Sequence, residues 1–216
     1  MSVSDWIFVS ILLTLFWAGL MRQSEGQQLT LLVRSVFNPA LISSHLRQER
    51  SFGRLLFYTY VFIVLCHSLF LSISLWHFGI TDDLSYPWIF LLVAGSIIGL
   101  TTLRTLLYAS FAWLTHAEEV YHEHLYLWLR VNLFQSIWLL VVSVVISFAA
   151  VNNPTLLITL SIITAAIAYF TRAIRLFALL THKYPHDKMY IFLYICALEI
   201  LPALLIIKVV YGQLSI

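Results

Sequence analysis

Eleven of the twelve lysines and arginines of this chain fall in alternate gaps between long apolar runs or toward the run ends that border those gaps. No other feature constrains the fold as much. About six runs can be drawn: residues 6–21, 55–78, 87–104, 125–151, 154–173 and 189–211. Each approaches the roughly 20 apolar residues that a helix needs to cross bilayer hydrocarbon. The first is short and calls for a locally thinned bilayer. Gap one carries Arg22, Arg34, Arg47, Arg50 and Arg54, and gap three is bounded by Arg104 and Arg130. Gap five carries Arg172, Arg175, Lys183 and Lys188. Gaps two and four hold no Lys or Arg, gap two adds Asp82 and Asp83, and Lys208 is the exception. Because short basic loops stay in the cytoplasm, the odd gaps are predicted cytoplasmic and both termini outside.

Composition agrees. Of 216 residues, 61% are hydrophobic and 10% charged, against roughly 25% charged in a soluble domain. Such a chain cannot cover a globule with polar surface. The expected fold is all-α: a polytopic bundle of about six transmembrane helices forming one domain over residues 1–216, with short interfacial cytoplasmic helices. A net charge of +2 without a basic stripe gives no argument for nucleic acid. Cys66 and Cys196 lie inside apolar runs and read as small buried hydrophobes rather than a redox pair. The first run lacks the basic leader and small-residue cleavage site of a signal peptide and is read as a retained span. Pro87 and Pro154 suit the first turn of a helix, where a backbone donor is unpaired anyway. Asn152 or Asn153 is placed to cap the fifth span, and the tight link there makes spans four and five a hairpin.

The cytoplasmic gaps carry structure of their own. After Asn38-Pro39, the residues Ala40, Leu41, Ile42 and Leu46 alternate with His45, Arg47 and Arg50. This is a short basic amphipathic helix suited to anionic lipids or to a partner. Leu106 to Leu114 stays apolar, so the third span is expected to project beyond the bilayer. Leu114-Thr115-His116 resembles Leu180-Thr181-His182, and His122–Tyr126 resembles His186–Tyr190, a faint parallel repeat of hairpins. Trp6, Trp76, Trp88, Trp113 and Trp128 lie near span ends, as an interfacial aromatic belt requires.

Two constellations could carry chemistry. Glu199 falls near the middle of span six, one turn before Pro202. A carboxylate at that depth must face the bundle interior, be paired or be protonated. His67 of span two enters from the same side to within about one helical turn of that depth, and Gln135 of span four is a third candidate. The functional reading is a proton or cation relay or a polar ligand site. The plainer one is a structural interhelical hydrogen bond, typically about 0.6 kcal/mol. The second constellation is His116, Glu118, Glu119, His122, Glu123 and His124. Glu119 and His122 share a helix face, which with His116 sketches a metal site. A di-iron bundle, however, needs two Glu-x-x-His units and two further Glu. A solvated juxtamembrane belt is the simpler reading. No P-loop, G-x-S-x-G or paired-carboxylate arrangement occurs, and no cofactor is implied.

Phe37-Asn38-Pro39 through Arg47-Gln48-Glu49-Arg50, and Leu193 through Leu198-Glu199-Ile200-Leu201-Pro202, resemble a bacterial membrane family, domain of unknown function 4271, found mainly in Bacteroidota. The resemblance implies an inner-membrane protein of a two-membrane bacterium, in which the termini that the charge pattern puts outside are periplasmic, and it places Glu199 and Pro202 in the recognisable core. It brings no reaction, cofactor or active-site residue. Small extramembrane parts and a basic cytoplasmic helix then favour an interaction or assembly component of the cell envelope, binding envelope proteins or a second copy. A small ion-coupled carrier built on Glu199 and His67 is the alternative. An intramembrane metal-dependent enzyme ranks last.

Overall fold

The computed structural model of the chain describes residues 3–37, 52–79, 84–115, 118–149 and 153–183. Among them the regular elements are five helices: α1 Val3–Phe37, α2 Phe52–His77, α3 Tyr86–Thr115, α4 Glu118–Phe148 and α5 Pro154–Lys183. Each contains a stretch long and apolar enough to cross a membrane. The expected sixth run, 189–211, and the basic segment with His45, Arg47 and Arg50 lie outside the described residues.

Successive helices run in opposite directions. At one end, the Phe8 ring meets that of Phe148 at 6.1 Å, and His77 Nε2 lies 3.3 Å from Thr155 Oγ1. We call this the hairpin end. At the other, the Arg54 guanidinium lies 3.6 Å from Glu25 Oε1. The same alternation carries Arg104, Arg130 and Arg172 to that arginine end.

The hairpin end is punctuated as the sequence chemistry demands. Gly79 closes α2 with φ 65°, a left-handed conformation open to glycine at little steric cost, and its nitrogen donates to Trp76 O at 3.2 Å. The Ser85 carbonyl accepts from the nitrogens of Trp88 and Ile89. Pro154 opens α5, where its missing donor costs nothing.

At the arginine end the helices outrun the apolar runs. The first span was expected over 6–21, yet α1 continues to Phe37, bending at Glu25 (φ −132°, ψ 29°). α3 reaches Thr115, as the apolar stretch 106–114 implied, and α5 reaches Lys183. At ~1.5 Å per residue, the 30 residues of α3 or of α5 span about 45 Å, against roughly 30 Å of hydrocarbon. Hydropathy marks where a bilayer ends. A helix pairs its own backbone groups and continues until a breaker stops it.

α2 is the hub: 56% of its span is buried, against 6% for α3. One cluster joins Met21 of α1 with Phe62, Ile63 and Cys66 of α2 and Leu129 and Leu133 of α4. Towards the hairpin end, Ile11, Leu69, Ile73 and Tyr86 form a second. Phe70 of α2, Leu139 and Val142 of α4 and Ile158 of α5 form a third. Small hydroxyl residues are buried on the same helices. Ser68 and Ser72 on α2 and Ser136 and Ser143 on α4 are all 0% exposed. In lipid the helices gain nothing from hiding apolar surface, so close backbone approach over small residues and dispersion contacts must hold them together. A Ser143→Leu substitution is therefore expected to lower stability by about 1–3 kcal/mol through overpacking, measured by unfolding in detergent. Ser96→Leu, on the exposed side of α3, is expected to leave it unchanged. Equal effects would contradict this packing.

Candidate polar sites of the bundle

His67 sits 10 positions before the end of α2 at His77, about 15 Å along the helix. Its Nδ1 lies 2.8 Å from Ile63 O and 3.3 Å from Ser136 Oγ. The Ser136 hydroxyl donates to Asn132 O at 2.7 Å. A carbonyl can only accept, so Nδ1 carries the proton and shares it between Ile63 O and Ser136 Oγ. In the neutral imidazole Nε2 is then the acceptor. The imidazole thereby bridges α2 and α4 at mid-height.

Gln135, one residue from Ser136, is 8% exposed, and its amide nitrogen finds no hydrogen-bond partner among the described residues. The structure ties His67 to Ser136. Glu199, the third member of the expected midplane site, lies outside the described residues. So does His116. Glu119 and His122 belong to the first turns of α4, and their side chains are not described. Among the described residues no three His, Cys, Asp or Glu side chains converge as metal ligands.

Several other hydroxyls are satisfied within their own helices, whereas the buried Ser72, Ser143 and Ser161 hydroxyls find no hydrogen-bond partner among the described residues. Thr14 donates to Ser10 O, Ser68 to Val64 O and Ser74 to Phe70 O. Between helices, Trp17 Nε1 donates to Tyr58 O at 3.0 Å, and Tyr60 Oη lies 2.6 Å from Thr101 Oγ1.

Sequence reasoning passed over two features. Glu25 is a buried carboxylate, 6% exposed, at the α1 bend, facing an Arg54 side chain that is 76% exposed. Glu25 and Glu49 are the carboxylates of gap one, and a carboxylate a few residues past an apolar run was the available signal. The second feature is the inward turn of Arg130 and Arg172, which are 7% and 3% exposed. Read for orientation alone, both looked like ordinary flanking charges.

The described residues thus form an all-helical structure whose helices are long and apolar enough for a membrane protein. A family pattern described as domain of unknown function, DUF4271, matches residues 7–210. The chain belongs to that family. No curated protein and no solved structure matches it.

If the His67–Ser136 contact is a tie between helices, a double-mutant cycle of His67→Ala and Ser136→Ala should give a coupling of about 0.6 kcal/mol. Unfolding in detergent reads it. No coupling would mean that the two residues act independently.

Proposed function

We propose that the protein is an interaction or assembly component of the bacterial cell envelope. It is a multi-pass protein of the inner membrane with its arginine end in the cytoplasm and both termini in the periplasm. The charge alternation supports the threading. The role rests chiefly on one observation, the outward face of α3. Trp88, Leu92 and Leu103 on that face are 63%, 57% and 57% exposed. Between them a Cβ added at Gly95 or Gly99 would meet nothing within 4 Å. Two glycines four apart with open space before them let a second transmembrane helix approach backbone to backbone. The bonding of His67 is that of a structural tie, which supports this reading over a carrier.

A photo-crosslinker at Leu92 in native membranes should yield an adduct with a second polypeptide. Gly99→Leu should reduce that adduct at least about tenfold, because a bulky side chain bars close approach. An adduct confined to residues 189–211 of the same chain, or to lipid, would contradict the proposal.

A further inference from the structure

α5 leaves the hairpin end at Pro154 and runs to Lys183 at the arginine end. At ~1.5 Å per residue Lys183 stands about 43 Å from the hairpin end, and so about 13 Å past a hydrocarbon layer of roughly 30 Å. The apolar run 189–211 follows. As a helix it is about 33 Å long, so it fills the hydrocarbon when Met189 starts near the boundary that α5 has overrun. Residues 184–188 join the two. At ~3.3–3.6 Å per residue this link extends at most about 20 Å. Returning to the boundary takes up about 13 Å of that and leaves a lateral reach of about 15 Å. Helices in contact stand roughly 8–10 Å apart. A place beside α5 is within reach of the run, and a place two helices away is not.

α5 has one side occupied and one side open. Ile158 and Leu157 pack with Phe70 of α2 and with Leu139 and Val142 of α4, and Ser161 and Arg172 are buried on the same side. On the opposite side Leu156, Leu160, Ile163, Ile167, Phe170 and Ile174 are 42% to 69% exposed. Their spacing alternates four and three. That repeat keeps one line of side chains facing a neighbouring helix at a shallow crossing angle, as in most transmembrane bundles.

Lipid can cover an apolar stripe, so exposure alone assigns no partner. Reach and charge supply what exposure does not. Glu199 falls ten residues into the run, about 15 Å from the boundary, where a carboxyl needs a polar neighbour. The exposed residues of α1 from 8 to 16 and of α4 from 134 to 148 are all apolar. On α5 the half-buried Thr164 borders the stripe at the depth of Glu199. Its hydroxyl donates to Ser161 O at 2.9 Å, which leaves the oxygen able to accept from a protonated carboxyl.

We propose that residues 189–211 return across the membrane along this stripe, antiparallel to α5, with Glu199 at the level of Thr164. The pairing closes the open side of α5 from within the chain and leaves the outward face of α3 to a second polypeptide. It does not depend on that second partner, and its test reads contacts within one chain.

The test is disulfide formation in native membranes, with the full chain in a Cys66→Ala background. Ile163→Cys, Ile167→Cys and Phe170→Cys are each paired with native Cys196 and, after Cys196→Ala, with Tyr194→Cys, Ile195→Cys or Ala197→Cys. These four positions make one helical turn, so one of them faces α5 whatever the rotation of the run. Copper phenanthroline is the oxidant, and mass spectrometry identifies the joined peptides. Phe16→Cys on α1 and Leu92→Cys on α3, both exposed, are the controls. A disulfide requires Cα atoms within roughly 7 Å, so the best α5 pair should form at a yield at least about tenfold that of either control. The α5 positions are exposed, and their variants should melt with the unaltered protein. Should a variant at 194, 195 or 197 fail to fold, native Cys196 against the three α5 positions decides the matter. Disulfides to Phe16→Cys or Leu92→Cys in place of α5 would overturn the proposal. So would the absence of any α5 pair, or α5 pairs formed only between two copies of the chain.

Discussion

Hydrocarbon offers no hydrogen bonds, and every other property of this bundle follows from that. A segment of the chain that crosses it must pair its own backbone, so the described residues are helices throughout their apolar stretches. Polar side chains inside gain most by pairing with the nearest available acceptor. Thr14, Ser68, Ser74 and Ser136 do so by donating to a carbonyl four residues back. His67 does it across two helices, through Ile63 O and Ser136 Oγ. Among the described residues the charges lie toward the helix ends, some open to water and others, such as Glu25, Arg130 and Arg172, buried. The arginine end is thus a consequence of solvent as much as of function.

The same constraint decides how helices are held together. With lipid as apolar as leucine, burial gives little preference for one helix neighbour over another, and small residues become the adhesive. α2 and α4, which make the most extensive contact among the described helices, both carry fully buried serines, and Ser136 of α4 contacts His67 of α2. α3 keeps its glycines on the opposite, open side. One kind of chemistry thus serves the interior, and the same chemistry on α3 is offered outward.

Much of this was legible in the sequence, because span length and charge placement are properties of the chain and the bilayer alone. Pro154 at the start of α5, the hairpin of α4 and α5, and the projection of α3 beyond residue 104 follow from local rules. What escaped depends on neighbours. The extension of α1 to Phe37 was hidden because hydropathy falls at Arg22 while helical hydrogen bonding does not. The burial of Glu25 against Arg54 depends on where α2 begins beside α1. Whether Arg130 faces water or protein depends on α5, and no count of charges reveals it. Of the midplane trio, depth arithmetic put His67 and Gln135 in one region, yet the partner of His67 is Ser136. A hydroxyl residue in an apolar run carries no distinguishing pattern until the helices are packed.

The threading is the claim on which the side of the membrane reached by the arginine end depends. Cysteine labelling in a cysteine-free background tests it directly, with one probe replacing the exposed Asn153 of the hairpin end and another replacing the exposed Trp113 near the arginine end. With the outer membrane opened and the inner membrane intact, an impermeant maleimide should label Asn153→Cys at once. It should label Trp113→Cys only after the inner membrane is permeabilised. Labelling in the reverse order, or of both positions from one side, would contradict the threading proposed here.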